Sequence, residues 1–131
     1  MKKISHIGIA VADIEKSCEL FSRLLNKDFQ TEYVSSESVT TAFFKIGESK
    51  IKLISSEQPE SAISKYLKKY KEGMHHLAID VDNIQDEIFR LKKEGFRFLN
   101  ETPKIGADNK LIVFLHPKDT NGVLVEICQS R

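Results

Sequence analysis

Two stretches of the chain carry the same pattern of hydrophobic and polar positions at a fixed offset of 70 residues. Residues 6–14 read HIGIAVADI, and residues 76–84 read HLAIDVDNI. Each stretch opens with a histidine and alternates bulky aliphatic residues with small or polar ones, as a strand with two different faces does. Each ends next to an Asx residue, Asp13 or Asn83, that can cap a following helix. The repeat therefore predicts two halves built alike.

Each predicted strand is followed by a helix and three more strands. Apolar stripes at helical spacing mark the helices, and Gly95 ends the second one. The stripes are Ile14, Cys18, Phe21 and Leu25 in the first half, and Ile84, Ile88 and Leu91 in the second. Strand candidates follow at about residues 28–35, 39–46 and 50–54, and again at 96–99, 111–115 and 123–128.

The order of elements is thus βαβββ twice, which predicts an α+β fold. A helix at about residues 60–72 links the halves, with Ile63, Leu67 and Tyr70 as its buried edge and Gly73 as its stop. With 131 residues the chain suits a single domain, comprising module one at about 1–56, the linking helix, and module two at about 73–131.

The less bulky face of these strands carries candidate metal ligands. His6 shares its face with Gly8 and Ala10, while His76 shares its face with small or polar residues of the second copy. Glu126 interrupts an apolar run, and a buried carboxylate is costly without a partner or a metal. A single histidine on a strand is usually structural. A histidine at the equivalent position of both repeats instead favours a metal-binding site. Two imidazoles and a carboxylate suit a divalent transition metal.

The other two histidines receive different interpretations. His75 falls on the bulky face, so we expect it to be structural or to support the ligand next to it. His116 precedes Pro117 at a strand end, where it is either a turn residue or part of the cavity mouth.

Composition narrows the class of partner. Lys and Arg number 20 against 19 Asp and Glu, so no overall field favours nucleic acid or an anionic membrane. Cys18 and Cys128 lie in apolar patterns, as buried free thiols of a reducing compartment do. No apolar run approaches the roughly 20 residues that span a bilayer, and no secretory signal is evident. We expect a cytoplasmic protein with a small-molecule partner.

At these residues the sequence resembles the vicinal oxygen chelate (glyoxalase/bleomycin resistance/dioxygenase) superfamily, and within it the methylmalonyl-CoA epimerases. The resemblance runs through HIGIAVADIEKS, TAFFKIG, SAISKYL, EGMHHLAIDVDNI, KKEGFRFLNETPKIGADNK and FLHPKDTNGVLVEICQ. It implies two βαβββ modules whose curved mixed sheet surrounds a metal and substrate cavity, usually in a homodimer. It also implies interconversion of (R)- and (S)-methylmalonyl-CoA by C2 proton transfer through a metal-stabilised enolate.

The resemblance also implies site residues. His6, His76 and Glu126 match three ligands of a divalent ion, with Co²⁺ expected and Ni²⁺, Mn²⁺ or Zn²⁺ as alternatives. Glu126 would also serve as one acid/base. The second base is a glutamate whose ungapped position falls on Ser36, although the adjacent Glu37 can take the role.

The fourth ligand position of the family, a Gln or Glu, falls on Lys52. Three outcomes are open for it. The lysine turns its head to solvent and leaves three ligands; the metal is weakened or lost and Lys52 supplies positive charge to the substrate; or the strand register differs by one residue. Two alternative functions also stay open: a glyoxalase I-type lactoylglutathione lyase, and a non-catalytic small-molecule binding protein of the same fold.

Overall fold

The computed structural model describes residues 1–131 and contains three α-helices and eight strands, which confirms the α+β class. None of the helices is long and apolar enough to span a membrane. The elements, in chain order, are β1 Lys3–Ala10, α1 Ile14–Leu25, β2 Gln30–Val34, β3 Val39–Ile46, β4 Ser49–Ser55, α2 Ala62–Tyr70, β5 Gly73–Asp80, α3 Ile84–Lys93, β6 Lys104–Ile105, β7 Leu111–Phe114 and β8 Val125–Gln129. Two short 3₁₀ helices cover Ala107–Asn109 and Pro117–Asp119.

The chain divides into two compact units. The first unit is His6–His75, and the second unit comprises Met1–Ser5 together with His76–Arg131. In the first unit β3 pairs antiparallel with β2 and β4, and β4 pairs parallel with β1. In the second unit β7 pairs antiparallel with β6 and β8, and β8 pairs parallel with β5. Each unit thus repeats one mixed pairing scheme; the proposed module boundaries stay predictions.

The predicted helix caps are confirmed. The Asp13 side chain accepts a hydrogen bond from the Lys16 backbone N–H at 3.1 Å, and the Asn83 side chain does the same for Asp86 at 3.1 Å. Gly95 follows α3 with a φ of 94°, a left-handed conformation that glycine adopts without steric cost. Local side-chain chemistry therefore sets where these helices begin and end.

The bulky faces of the strands pack against the helices. In the first unit Phe44 and Leu53 are fully buried with Cys18 of α1, and Ile9 packs against this cluster. In the second unit Ile127 is fully buried among Ile84 and other apolar residues of α3. Burying side chains of this size stabilises by about 1.5–3 kcal/mol each. The opposite faces are left for the polar residues described below.

The strand predicted at residues 96–99 forms only as a single antiparallel bridge. Only Phe98 makes a bridge there, to Leu115, and Leu99 is 54% exposed. The first strand after α3 is instead the two-residue β6, which follows a longer loop. Val123, where the strand candidate at 123–128 begins, is 48% exposed, and β8 begins two residues after it. The backbone beside the Phe98–Leu115 bridge is paired on both sides, since the Leu99 N–H donates to the Phe114 carbonyl at 2.9 Å and the His116 N–H donates to the Arg97 carbonyl at 2.8 Å.

The linking helix is shorter than predicted. It ends at Tyr70 because Lys71 has non-helical backbone angles, with a φ of 68° and a ψ of -170°, so Gly73 is not its stop. Tyr70 is 58% exposed, which contradicts its predicted burial, whereas Ile63 is buried as expected. The Tyr70 ring packs against that of Tyr66 at 5.0 Å, and Tyr66, one helical turn earlier, has its ring centroid 4.7 Å from that of His75.

We expect Asp119→Asn to destabilise the protein in a pH-dependent way. Arg97 donates to the Asp119 carboxylate from its backbone N–H at 2.8 Å and from its guanidinium at 3.1 and 2.8 Å. These bonds hold the pKa of Asp119 down to about 2, from 3.8. Because the folded-state pKa is lowered, the stabilisation is present above pH 3.8 and is lost as the pH falls toward 2.

Thermal unfolding of wild type and Asp119→Asn over this pH range checks the expectation. The difference in melting temperature should be largest at neutral pH and should shrink through the acidic range. A difference that does not change with pH would mean that the carboxylate charge is not what stabilises this turn.

Candidate functional site

His76 and Glu126 form a buried pair in the second unit. The β5–β8 register places Glu126 opposite Ala78, two residues along the strand from His76 and on the same face. His76 Nε2 lies 3.7 Å from Glu126 Oε1, and the two side chains are 6% and 7% exposed. Phe114 pairs with Glu126 from β7, and its ring meets the His76 imidazole edge-on at 6.0 Å. Two neighbouring strands therefore hold an imidazole nitrogen and a carboxylate oxygen together out of water.

Four further polar groups lie beside this pair on the same unit. Lys110 Nζ is 3.3 Å from Ser5 Oγ and 3.9 Å from Asp80 Oδ1, and Cys128 Sγ is 3.9 Å from the same carboxylate oxygen. Burial and the nearby charge of Glu126 raise the pKa of the Cys128 thiol to about 11. Cys128 is therefore a neutral, packed thiol, as its apolar setting in the sequence predicts.

Sequence reasoning missed Lys110 in this group. The strand alternation predicts that Asp80 lies on the same face of β5 as His76. Lys110 precedes β7 and reaches Ser5 across 105 residues of sequence. No local periodicity reports a contact of that kind.

His6 occupies the corresponding strand of the first unit. It lies on β1 opposite Lys50 of the parallel strand β4, and it is 4% exposed. Its neighbour on the same face, Gly8, lies opposite Lys52. The β1–β4 pairing therefore holds His6 at a buried position of this face.

Lys52 is the structural equivalent of Glu126. Gly8 and Ala78 occupy the same position of the sequence repeat, and the partner of Gly8 is Lys52 just as the partner of Ala78 is Glu126. The register alternative is therefore wrong. Lys52 is only 3% exposed, so the alternative in which its head turns out to solvent is also wrong. A buried lysine stands at this site position.

A second lysine lies next to Lys52 on the same face of β4. The ring of Phe43, which pairs with Lys52 from β3, is 4.4 Å from Lys50 Nζ and 5.9 Å from Lys52 Nζ, measured to the ring centroid. Both ammonium groups are within reach of a favourable interaction with the electron-rich ring face. This side of the first unit is therefore cationic.

Glu37 and Ser36 lie in the turn between β2 and β3. The Glu37 N–H donates to the Val34 carbonyl at 3.2 Å, and the turn places Glu37 half-buried while Ser36 is exposed. Both residues line a cavity of about 410 Å³ together with Ser61 at the start of α2. Of the two candidates, Glu37 is the one that has a carboxylate and is partly shielded from water.

The remaining histidines have local roles. Burial lowers the pKa of His75, and the negative charge of Glu37 opposes that shift, so His75 and Glu37 interact electrostatically. His75 also meets the Tyr66 ring edge-on. His116 caps the 3₁₀ turn after β7, with its Nδ1 accepting a hydrogen bond from the Lys118 N–H at 3.2 Å. The turn interpretation of His116 agrees with this contact; its place at a cavity mouth stays a prediction.

Comparison with known proteins now assigns the family. Residues 5–114 match the Glyoxalase/Bleomycin resistance protein/Dioxygenase superfamily. The chain belongs to this superfamily. The fold and the placement of a histidine at the start of each repeat, as expected from the sequence, are consistent with that membership.

Individual relatives in the superfamily are epimerases. The mitochondrial methylmalonyl-CoA epimerase of Homo sapiens is 39% identical over 98% of this chain and 74% of its own length. The ethylmalonyl-CoA/methylmalonyl-CoA epimerase of Cereibacter sphaeroides is 35% identical over 97% of both chains. A solved Streptomyces coelicolor methylmalonyl-CoA epimerase variant in complex with 2-nitronate-propionyl-CoA is 32% identical, with a TM-score of 0.94 over 99% of this chain and 95% of that one. The expected resemblance to methylmalonyl-CoA epimerases and the glyoxalase-like fold are confirmed.

Proposed function

We propose that this protein interconverts (R)- and (S)-methylmalonyl-CoA and is an isomerase. The observation that carries the proposal is the buried His76–Glu126 pair, at 3.7 Å, in a chain that resembles known epimerases of this substrate over almost its full length. Inversion at C2 requires a base that removes a proton and an acid that returns one on the opposite face. A buried carboxylate provides such a group.

In our proposal Glu126 and Glu37 each transfer protons on one of the two faces of C2. Glu126 exchanges a proton between its carboxylate and C2 on one face of the substrate, and His76 beside it orients that carboxylate. Glu37, half-buried at the edge of a cavity, exchanges a proton on the other face. Both groups are carboxylates, so each can serve as base in one direction and as acid in the other.

We further propose that His6, His76 and Glu126 hold a divalent metal ion. The donor chemistry fits, because all three side chains are buried and offer two imidazole nitrogens and a carboxylate oxygen. When bound, such an ion supplies a Lewis acid that stabilises negative charge on the thioester oxygen during proton removal. Lys52 does not fit a ligand role, since an ammonium has no lone pair to offer. The protein therefore contributes three ligands.

The identity of the ion, the assembly and the location belong to the same proposal. Co²⁺ is the expected ion, and a homodimer in the cytoplasm is the expected state. The partner is a small acyl-CoA, in keeping with the 2-nitronate-propionyl-CoA bound by the Streptomyces coelicolor relative.

We expect His76→Ala to weaken Co²⁺ binding by at least about 10–100-fold, because one of three protein ligands is lost. Equilibrium dialysis of the purified protein against Co²⁺ measures this directly. His116→Ala is the matched control, since His116 caps a turn through its Nδ1 and should leave the affinity unchanged. Equal Co²⁺ affinity in wild type and His76→Ala would remove His76 from the ligand set.

One comparison of two substrates distinguishes the three candidate functions. Wild-type protein is supplied with one epimer of methylmalonyl-CoA, or with the hemithioacetal of methylglyoxal and glutathione, and product formation is followed for both. The proposal predicts inversion of methylmalonyl-CoA and little turnover of the hemithioacetal. Preferential turnover of the hemithioacetal would favour the lyase, and tight binding of methylmalonyl-CoA without inversion would favour the binding protein.

A further inference from the structure

Lys52 occupies a central position on the site face of the first unit. It lies between Gly8 of β1 and Phe43 of β3 in the strand register, and it shares a face with His6. Only 3% of the residue is exposed. Lys52 is thus fixed between two partner strands and shielded from water, on the strand face that also carries His6.

Three lysines on this face of β3 and β4 become progressively more buried. Lys45 of β3 lies opposite Lys50 of β4 and on the same face as Phe43, so three lysines follow one face of this hairpin. Lys45 is exposed, Lys50 is half-buried and Lys52 is buried. Because the whole chain carries a net charge of only +1, this is a local arrangement and not a consequence of composition. A row of cations that leads from solvent to a buried position suits an anionic ligand.

The proposed substrate carries a negatively charged group next to the carbon that reacts. Methylmalonyl-CoA has a free carboxylate on C2, the carbon that exchanges its proton. Screening by water is weak at a buried site, so an ammonium there interacts strongly with a carboxylate brought beside it. Propionyl-CoA has the same thioester and lacks that carboxylate.

Resting on the proposed function, we propose that Lys52 binds the free carboxylate of the acyl-CoA substrate, with Lys50 adding charge beside it. At the position where the other half carries Glu126, this chain recognises the substrate with a cation. Lys52 is then a specificity-determining residue that selects 2-carboxylated acyl-CoA esters over esters without the carboxylate. The same charge disfavours a nearby divalent ion, so removing it should strengthen metal binding.

Binding measurements on two ligands test this assignment. Dissociation constants of methylmalonyl-CoA and propionyl-CoA are measured by calorimetry for wild type, Lys52→Gln, Lys52→Met, Lys52→Arg and the control Lys68→Gln, which removes an exposed lysine of α2. We expect wild type to prefer methylmalonyl-CoA by about 10–100-fold, the range that a hydrogen bond to a charged group provides. The Gln and Met variants should lose most of that preference with little change for propionyl-CoA. The Arg and Lys68 variants should keep it.

Dialysis against Co²⁺ gives an independent readout. Lys52→Met, which removes the charge without placing an amide oxygen at the family's fourth ligand position, should bind Co²⁺ more tightly than wild type, by about tenfold or more. Unchanged propionyl-CoA affinity in the Gln or Met variant shows that the site is still folded.

The outcomes separate this inference from the proposed function. A wild-type protein that inverts methylmalonyl-CoA, together with neutral variants that keep the full ligand preference, would overturn the role of Lys52 and leave the function standing. A wild type that binds neither ester and inverts neither epimer would overturn both.

Discussion

Glu126→Gln should lower the rate of methylmalonyl-CoA epimerisation by about 10²–10⁴-fold, the contribution of a positioned general acid/base. Glutamine keeps the size of the side chain but cannot accept and return a proton. Glu126 is 5% exposed and lies 3.7 Å from His76, so water has little room to substitute for the lost carboxylate. The rate constant at saturating substrate, followed as the loss of optical purity of one epimer, measures the effect.

Two controls make the Glu126 result specific. Glu48→Gln changes an exposed glutamate in the β3–β4 turn and should behave like wild type. The melting temperature of Glu126→Gln reports whether the buried pair with His76 also supports the fold. If Glu126→Gln is well folded and inverts substrate within about threefold of the wild-type rate, proton transfer by Glu126 is ruled out as a main source of catalysis.

Glu37→Gln should separate two events that the wild-type protein performs together. We expect inversion at C2 to fall by about 10²-fold or more, because the acid/base on one face is gone. Exchange of the C2 hydrogen with solvent should persist for one epimer, since Glu126 can still remove and return a proton on its own face. Proton NMR in deuterated water, run from each pure epimer, reads both events in one experiment.

Ser36→Ala is the matched control for Glu37→Gln. Ser36 is exposed in the same turn, lines the same cavity and occupies the ungapped position of the family's second base. It should keep wild-type inversion. Full inversion by Glu37→Gln, or loss of exchange from both epimers alike, would contradict the division of work between Glu37 and Glu126.

The repeat made much of the fold predictable from the sequence. Alternation after His6 and His76 predicted the strand faces, and Ile9, Val11, Ile79 and Val81 of the bulky faces do pack in the clusters that contain the helices. Asp13 and Asn83 gave the helix starts because capping is a local interaction between a side chain and a nearby backbone N–H. Features decided within a few residues could be predicted.

Features decided by distant contacts were not predictable. Residues 96–99 have a strand-like composition, yet they form a single bridge from Phe98 to Leu115 instead of a regular strand. Tyr70 has the right helical phase for burial, but α2 ends there and Tyr66 contacts His75 instead. Lys110 joins Ser5 and Asp80 through the folded sheet, and no pattern near Lys110 reports that contact.

Lys52 has one feature that the sequence predicts and one that it does not. Its strand phase could be predicted, and the β1–β4 register agrees with it. The burial of Lys52 could not be predicted, because lysines are usually at the surface and no residue nearby in the sequence indicates that the ammonium group is buried. The sequence therefore left several roles open for Lys52; its burial and the β1–β4 register exclude two of them, and the substrate-binding role is the one that we propose.

Exchange of the C2 hydrogen of methylmalonyl-CoA with deuterium from solvent tests the central claim most directly. One pure epimer is incubated with Co²⁺-supplemented wild-type protein in deuterated water and followed by proton NMR. Our account predicts that the C2 proton signal disappears while both epimers form, with deuterium at C2 in the inverted product. A C2 proton signal and an epimer ratio that both stay unchanged would contradict it.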